Sequence, residues 1–331
     1  METNLDDFIR WIKSNGFSSY IPTDCDKLKN LSMLDLSKKK LRQIPESICA
    51  LENLQILKLS SNRLKELPET IGELKKLKNL QCENNLIEEL PESIGDLESL
   101  VVCNLNGNKL SSLPGSFYNL TKLTRLTIAA NSLEYLSPDL AKLNKLLYFS
   151  LDTNNLQYLP DVFDNMHSLY YLDLSYNEFH SLPSSIGKIE ELETLLLEGN
   201  EIRDLPSLEA HDMLIRLNLN DNNISSLDFD ISKLEDLQIL TLDNNKLELL
   251  PNSICKLTNL NHLSVSANKL KELPLCISEI ENLIELDIED NEISSLPKNF
   301  EKLLKLKNLY IKGNNQLQRP ANRSLEFCDI V

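Results

Sequence analysis

The stretch Leu54–Asn62 reads LQILKLSSN and contains the pattern LxxLxLxxN. The pattern recurs with its asparagine at Asn85, Asn108, Asn131, Asn154, Asn177, Asn200, Asn222, Asn245, Asn268, Asn291 and Asn314. Successive asparagines are 23 residues apart, except for Asn200 and Asn222, which are 22 apart. An earlier copy, Leu31–Lys39, keeps the spacing with lysine in place of asparagine. Thirteen copies at a fixed period predict a repeat protein whose short units stack on their neighbours.

Within each copy, apolar and polar residues alternate as in a strand with one buried face. The leucines of LxL point inward and the residue between them points outward. Stacked copies therefore predict a parallel sheet in which the leucines of one repeat bury those of the next. The asparagine lies where the chain leaves the strand, and its amide can satisfy buried backbone groups of two neighbouring turns. We expect an asparagine ladder in which one alanine substitution costs about 1–3 kcal/mol.

A second constant unit follows the asparagine, as in Leu64–Leu74, which reads LKELPETIGEL. Its leucine–proline pair recurs in most copies, and proline suits an outer segment because it has no N–H for a ladder bond. The short return that remains fits a 3₁₀ turn or a single helical turn and excludes a long helix. The pattern departs at Ser137, at Asp228 and over Ser207–Met213, where the loss of one residue is the simplest interpretation.

The sequence also predicts a cap at each end of the array. An i, i+3, i+4, i+7 apolar stripe near the N-terminus predicts an amphipathic helix that Gly16 ends; the stripe consists of Leu5, Phe8, Ile9 and Ile12. Such a helix covers the first sheet edge, which is otherwise prone to association. We therefore expect a helical cap (residues 1–20), a solenoid of a half repeat plus thirteen repeats (21–320) and a C-terminal cap or tail (321–331).

The complete pattern LxxLxLxxNxLxxLPxxIxxL resembles the leucine-rich-repeat family, in the 23-residue form found in intracellular bacterial proteins and Ras-pathway scaffolds. The resemblance covers roughly residues 21 to 320. It implies an α/β fold, a right-handed horseshoe-shaped solenoid with a parallel sheet on its concave face and short 3₁₀ or helical turns on its convex face. It also implies that the concave sheet binds proteins, and it leaves the partner open because this fold serves many tasks.

Charge and cysteine content limit the partners and the location. The chain has 34 basic and 50 acidic side chains and a net charge of −16, which repels phosphate backbones and anionic lipid heads. A partner with a basic surface is therefore expected, rather than nucleic acid or a membrane. The first residues lack the basic and apolar regions of a signal peptide. Seven scattered cysteines without a CxxC pair favour reduced thiols, and hence a cytoplasmic location. We also expect the protein to be a monomer.

The outward positions of the strands predict where a partner binds. An aromatic and apolar patch in repeats six to eight consists of Tyr148, Tyr171, Tyr176 and Leu196. Arg125 and Arg216 flank this patch, and the acids beside it are Asp152, Asp173 and Glu198. Tyrosine contributes a large contact area with a polar tip and is common at interface hot spots. The alternative is that these tyrosines only pack on one another across the strands and stiffen the sheet.

The same outward positions carry eleven acids and five bases, and one repeat alone contributes Glu285, Asp287, Glu289 and Asp290. An acidic sheet attracts a basic partner and makes association sensitive to salt. The alternative is a solvated face that keeps the protein soluble.

Motifs of catalysis and of metal binding are missing from the sequence. It contains no GxSxG, no HExxH and no Gly-rich phosphate loop, and His262 is its one histidine at an outward strand position. Asp-x-Asn clusters such as Asp152–Asn154 resemble calcium ligands, but the asparagine has a structural role and no loop has EF-hand spacing. We expect no catalytic residues, no cofactor and no metal.

Two functional hypotheses remain. The first is a non-enzymatic scaffold or adaptor in the cytoplasm that binds a partner protein on its concave face. The alternative is a bacterial effector, delivered into host cells by a specialised secretion system, that sequesters or inhibits a host protein. Detection of the protein in host cytosol favours the second hypothesis, and strict retention in the producing cell excludes it.

Overall fold

The LxL cores form three-residue strands in the computed structural model, which describes residues 2–317 and 329–330. The chain divides into two compact units, unit 1 (Met1–Asn155) and unit 2 (Leu156–Val331). The strands of unit 1 are β1 (Met33–Asp35), β2 (Ile56–Lys58), β3 (Asn79–Gln81), β4 (Val102–Asn104), β5 (Arg125–Thr127) and β6 (Tyr148–Ser150). Those of unit 2 are β7 (Tyr171–Asp173), β8 (Thr194–Leu196), β9 (Arg216–Asn218), β10 (Ile239–Thr241), β11 (His262–Ser264), β12 (Glu285–Asp287), β13 (Asn308–Tyr310) and β14 (Asp329–Ile330).

Within each unit, neighbouring strands pair in parallel and in sequence order. Each residue lies opposite its counterpart in the next repeat, as Met33 does opposite Ile56. The pairing of Leu195 with Leu217 keeps this register across the 22-residue repeat. The irregular segment Ser207–Met213 therefore absorbs the missing residue in the return, and no 3₁₀ turn forms there.

The other returns carry the short turns that the leucine–proline unit predicts. Unit 1 has 3₁₀ turns at Phe17–Ser19, Glu46–Ala50, Glu69–Glu73, Glu92–Asp96, Gly115–Asn119 and Pro138–Lys142. Unit 2 has them at Phe163–Asn165, Ser184–Lys188, Ile231–Lys233, Asn252–Lys256, Ile277–Glu279 and Phe300–Lys302. Pro68 precedes one of these turns with φ −65° and ψ 145°, which its ring favours. The predicted arrangement of a parallel sheet with 3₁₀ returns is confirmed.

The asparagine ladder is present in both units. In unit 1, the Asn62 Oδ1 atom accepts the N–H groups of Lys39 and Leu41 at 3.0 Å each. Its Nδ2 atom donates to the carbonyls of Leu36 and Leu59 at 2.8 Å each. One amide therefore satisfies backbone groups of two successive turns, which leaves few buried polar groups of the turns without partners.

The N-terminal segment forms α1 (Glu2–Ser14), and its four stripe residues are all buried. The helix packs against the 3₁₀ turn Glu46–Ala50. Gly16 follows with φ +73°, a left-handed conformation that glycine adopts without steric cost and that ends helices. A second short helix, α2 (Cys25–Lys29), begins at Asp24, whose side chain accepts the N–H of Lys27. Residues 321–328 and 331 of the expected C-terminal cap or tail lie outside the described residues.

The thiol prediction is wrong for one pair, because Cys255 and Cys276 form a disulfide. Their Cα atoms are 5.7 Å apart, within the range that a disulfide spans. They lie 21 residues apart in two successive returns, so repeat stacking brings them together although no local motif does. Cys82 and Cys103 are buried free thiols, and burial raises the pKa of Cys82 well above its ordinary value and that of Cys103 to about 12. The disulfide removes the thiol argument for a reducing compartment, and the cytoplasmic location stays a prediction.

Among residues 2–317 and 329–330, no helix combines the length and the apolar character that crossing a bilayer requires.

Candidate protein-binding surface

The outward side chains of the strands form an open face in each unit. In β2, for example, the middle residue Leu57 is buried and its two neighbours are half-buried. The two residues before each ladder position continue this surface, and the second of them adopts a positive φ, as Ser61 does at 57°. We call the outward strand residues together with these two turn residues the sheet face of each unit.

In unit 1, the structure brings two of the predicted residues into contact. Arg125 of β5 lies opposite Tyr148 of β6, and its guanidinium carbon is 3.7 Å from the centroid of the tyrosine ring. This is a cation–π contact, and it holds the exposed guanidinium on the sheet face. Asp152, in the turn after β6, accepts the hydroxyl of Ser150 at 2.6 Å.

In unit 2, Tyr176 is held in one orientation by its surroundings. Its hydroxyl donates to Glu198 Oε1, and Glu198 Oε2 accepts the amide of Asn218 at 2.8 Å. The carboxylate raises the pKa of Tyr176 to about 12, because its hydrogen bond favours the protonated phenol. The ring lies against Gly199, where an added Cβ would be 2.5 Å from Tyr176 Cδ1. Tyr176 is 52% exposed, so a fixed aromatic ring faces solvent.

The other predicted residues of unit 2 lie on the neighbouring strands. The hydroxyl of Tyr171 donates to Asp173 Oδ2 at 3.3 Å, and Asp173 Oδ1 accepts the N–H of Ser175 at 3.0 Å. Leu196 of β8 is half-buried and pairs in register with Asp173. Arg216 of β9 is exposed, and no ion pair involves it among the described residues.

Farther along unit 2, acidic side chains crowd the sheet face. Burial raises the pKa of Asp287 to about 6, and the neighbouring carboxylates of Asp243, Glu289 and Glu285 add to the shift. Asp243 Oδ1 accepts the hydroxyls of Ser264 and Ser266 and the N–H of Ser266. Glu285 Oε1 lies 3.5 Å from His262 Nδ1. Besides burial, the three neighbouring carboxylates therefore disfavour the charged form of Asp287.

The two faces therefore differ in charge. The face of unit 1 balances three acids, Asp35, Glu83 and Asp152, with three bases, Lys38, Lys58 and Arg125. The face of unit 2 has two bases, Arg216 and Lys312, and eight acids, Asp173, Glu198, Asp221, Asp243, Glu285, Asp287, Glu289 and Asp290. The acidic excess predicted for the outward positions is thus concentrated in unit 2.

Sequence reasoning placed every predicted residue at an outward position and missed the groups that orient them. Asn218 was not singled out, although it holds the carboxylate that fixes Tyr176. Thr127, whose hydroxyl lies buried on the face of unit 1, was also missed. Both occupy the outward position inside the LxL core of their repeats. The repeat pattern therefore predicts that they face outward, but it does not indicate which side chains they contact. Among the described residues, no group of three or more His, Cys, Asp or Glu side chains is arranged to hold a metal ion.

Family models match most of the chain. A model of a leucine-rich repeat region matches residues 13–87 and 210–326, and a second leucine-rich-repeat model matches residues 75–133 and 121–179. The chain belongs to the leucine-rich-repeat family. A comparison with curated proteins gives no match. Leucine-rich-repeat proteins are typically non-enzymatic and generally mediate protein–protein interactions. Membership of the family indicates this general role and does not identify a partner.

Solved structures of other leucine-rich-repeat proteins resemble this one. A leucine-rich-repeat protein of Leptospira interrogans is 32% identical with a TM-score of 0.77, and the match covers 92% of this chain and 91% of that protein. YopM from Yersinia enterocolitica is 27% identical with a TM-score of 0.61, over 90% of this chain and 72% of YopM. The plant peptide hormone receptor RGFR1, solved in complex with RGF2, is 26% identical with a TM-score of 0.73. That match covers 86% of this chain and about half, 52%, of the receptor chain.

Proposed function

We propose that this leucine-rich-repeat protein is a non-enzymatic scaffold or adaptor that binds a partner protein through its sheet face. The partner has a basic surface, and the chain acts as a monomer. The observation that carries the proposal is the sheet face of unit 2, where eight acids accompany two bases and a fixed tyrosine faces solvent. The predicted residues in unit 1 that take part are Arg125, Tyr148 and Asp152.

The acidic face supports a basic partner on electrostatic grounds. Opposite charges accelerate encounter and suppress partners of like charge, and the effect weakens as salt shortens the Debye length. The half-buried Asp287 strengthens this argument, because burial and neighbouring acids raise its pKa to about 6. An approaching lysine or arginine stabilises the charged form of Asp287 and relieves the repulsion among the acids. Binding is therefore expected to lower the pKa of Asp287.

The orientation of Tyr176 supports an aromatic contact at the same face. Interface tyrosines contribute most when they are rigid, since little side-chain entropy is then lost on binding. Gly199 and the Glu198 carboxylate fix the Tyr176 ring before any partner arrives. Tyr171, Leu196 and Arg216 lie on β7 to β9 and extend the proposed contact surface of unit 2.

The second candidate function is that of a bacterial effector which sequesters or inhibits a host protein. Similarity to leucine-rich-repeat proteins of the bacteria Leptospira interrogans and Yersinia enterocolitica favours this candidate. Fractionation of infected cells separates the two candidates. Recovery of the protein from host cytosol supports the effector role, and its strict retention in the producing cell supports the scaffold.

A cross-linking pull-down from lysate tests the proposal at low and moderate salt. Wild type is compared with a unit 2 variant that combines Tyr171→Ala, Tyr176→Ala and Leu196→Ala. The matched control is Tyr158→Ala, which removes a tyrosine that is 73% exposed and lies outside the strands. We expect a basic protein that wild type and the control capture, that the variant loses, and that moderate salt weakens.

Equal recovery of the same partner by wild type and the unit 2 variant contradicts the proposal, because the tyrosines then serve packing only. If recovery of the partner does not change with salt, only the proposal that the partner has a basic surface is contradicted. Light scattering of the purified chain tests the monomer separately. Circular dichroism of each variant checks that the fold is retained.

A further inference from the structure

A small polar pocket opens on the sheet face of unit 1. It has a volume of about 210 Å³ and lies over β3 to β6. Side chains that line it include Gln81, Asn104, Asn106, Arg125, Thr127 and Tyr148. Its volume is below the ~300–1,000 Å³ typical of cofactor and drug-sized sites. The pocket therefore has room for a single side chain.

Thr127 is the first indication of a ligand. Only 6% of this residue is exposed, and its hydroxyl has no hydrogen-bond partner among the described residues. A buried hydroxyl without a partner destabilises a fold, so native structures contain few of them. A ligand group in the pocket that accepts this hydroxyl removes that cost.

The two asparagines that line the pocket each have the amide oxygen engaged by a backbone N–H. Asn104 Oδ1 accepts the N–H of Asn106 at 3.1 Å, and Asn106 Oδ1 accepts the N–H of Ala129 at 2.7 Å. A backbone N–H can only donate, so it fixes which end of each amide is the oxygen. Both NH₂ groups are then left for other acceptors, and no hydrogen bond from either of them is found among the described residues.

Arg125 supplies the charge. It is the only charged residue among the described residues that line the pocket. Its guanidinium stacks on Tyr148 and forms no ion pair with any described carboxylate. Glu83 and Asp152 lie in the neighbouring turns and do not line the pocket. The site thus combines one cation, two amide donors and one unpartnered hydroxyl.

We infer that this pocket binds the carboxylate of an aspartate or glutamate side chain of the partner protein. The Arg125 guanidinium pairs with the carboxylate, and the Thr127 hydroxyl and the asparagine amides donate to its oxygens. A single arginine matches a monoanion, whereas phosphate recognition typically uses arginine clusters. The inference rests on the proposed function in taking the carboxylate from a protein. On this inference the partner has two features: a basic surface that contacts the acidic face of unit 2, and one acidic side chain that binds in the pocket of unit 1.

The test is saturation-transfer NMR with N-acetylglutamate amide, a blocked glutamate whose single carboxylate is its side chain. N-acetylglutamine amide is the uncharged control ligand, and N-acetylglycine presents a terminal carboxylate instead. The protein variants are Arg125→Gln and Thr127→Val. Arg63→Gln is the matched control, because Arg63 is an exposed arginine of unit 1 that lies outside the sheet face and does not line the pocket.

We expect weak saturable binding of the blocked glutamate, no binding of the glutamine analogue and weaker binding of N-acetylglycine. Arg125→Gln weakens binding at least tenfold, which corresponds to about 1.4 kcal/mol or more. Thr127→Val weakens it about threefold, and Arg63→Gln leaves it unchanged. Thr127→Val preserves side-chain shape, so this variant keeps the test valid if Arg125→Gln does not fold.

Four results overturn the inference: no binding of the blocked glutamate, equal binding of its glutamine analogue, an equal loss in Arg63→Gln, or tighter binding of inorganic phosphate. Preference for N-acetylglycine overturns the side-chain assignment in favour of a chain terminus. These readouts are independent of the pull-down. A pocket that binds glutamate while no partner is captured contradicts the proposed function alone, and the reverse outcome contradicts only this inference.

Discussion

Asp35 in unit 1 and Asp287 in unit 2 occupy the same position in the repeat, and each accepts the backbone N–H two residues ahead at 2.9 Å. That hydrogen bond lowers the pKa of Asp35, and Lys58 and Lys39 lower it further. At Asp287 the same bond is outweighed by burial and by three neighbouring carboxylates, which raise the pKa to about 6. One local structure therefore yields opposite pKa shifts in the two units.

The comparison shows which positions the repeat constrains. Inward apolar residues and ladder asparagines recur in both units because stacking and backbone hydrogen bonds depend on them. The outward residues of a strand do not enter that core, so their charge can differ without disturbing its packing. The face of unit 1 has equal numbers of acids and bases and contains the polar pocket. The face of unit 2 is acidic and contains the fixed ring of Tyr176. The difference is expected to be functional rather than structural.

The largest predicted effect concerns the end of unit 1, where we propose that α1 acts as a cap. Its Phe8 and Ile12 side chains are fully buried, and the helix packs on the turn Glu46–Ala50. Deletion of residues 1–20 exposes the apolar side of that turn, which belongs to the same repeat as the edge strand β1. We expect the truncated chain to associate in light scattering and to lose hydrogen-exchange protection in β1 and β2, while β10 to β12 stay protected. A truncated chain that stays monomeric with unchanged melting contradicts the cap.

The next prediction tests whether a ladder asparagine contributes the same free energy of unfolding in both units. Asn85 in unit 1 and Asn245 in unit 2 each accept one backbone N–H and donate to two nearby carbonyls. Asn85→Ala and Asn245→Ala are each expected to destabilise the chain by about 1–3 kcal/mol in urea unfolding, because buried backbone groups lose their partners. Lys39→Ala is the control, since this exposed lysine replaces asparagine at the ladder position. Clearly unequal losses indicate that the units differ in more than their faces.

The sequence predicted those elements that follow from the period alone. Periodicity identified the strands, the short returns, the ladder and the stripe of α1, since each depends on spacing and residue type. It did not identify the Cys255–Cys276 pair, because proximity across a return depends on how two turns stack. It placed Tyr176 on the face but not its contacts with Glu198 and Asn218, which depend on side-chain rotamers. The buried hydroxyl of Thr127 was invisible for the same reason.

The third prediction uses the opposite pKa shifts of Asp35 and Asp287. A carboxyl whose pKa is raised on folding stabilises the fold below pH 3.8, and this contribution is lost as the pH rises toward 6. Asp287→Asn is therefore expected to stabilise the chain by about 1–2 kcal/mol at pH 7, with solvent screening allowed for, and to have little effect at pH 3.5. The pKa of Asp35 is lowered, so its contribution is present at pH 7 and lost as the pH falls below 3.8. Asp35→Asn should destabilise at pH 7.

Urea unfolding of both variants at pH 7 and pH 3.5 checks these signs. The opposite response of the two substitutions is the critical observation, because a general effect of removing an acid from a protein of charge −16 stabilises in both units. If Asp35→Asn and Asp287→Asn shift stability at pH 7 in the same direction, the contrast between the two faces at this position is wrong.

The smallest expected effect separates a structural from a functional role for Thr127. Its hydroxyl is buried without a partner, so the isosteric Thr127→Val should stabilise the ligand-free chain by about 1 kcal/mol in urea unfolding. Thr241 holds the corresponding position in β10 of unit 2, and its hydroxyl donates to Asn218 Oδ1 at 2.9 Å. Thr241→Val should therefore destabilise by a similar amount, because it leaves that acceptor with one partner fewer.

The sign of the Thr127→Val effect then decides between the two roles. Increased stability together with weaker binding of N-acetylglutamate amide means that the chain retains a destabilising group which a ligand uses, a trade-off expected at binding sites. Decreased stability of Thr127→Val means that the hydroxyl already has a structural partner. In that case the Thr127 hydroxyl is not available to a ligand in the pocket of unit 1, and the two faces differ in charge alone.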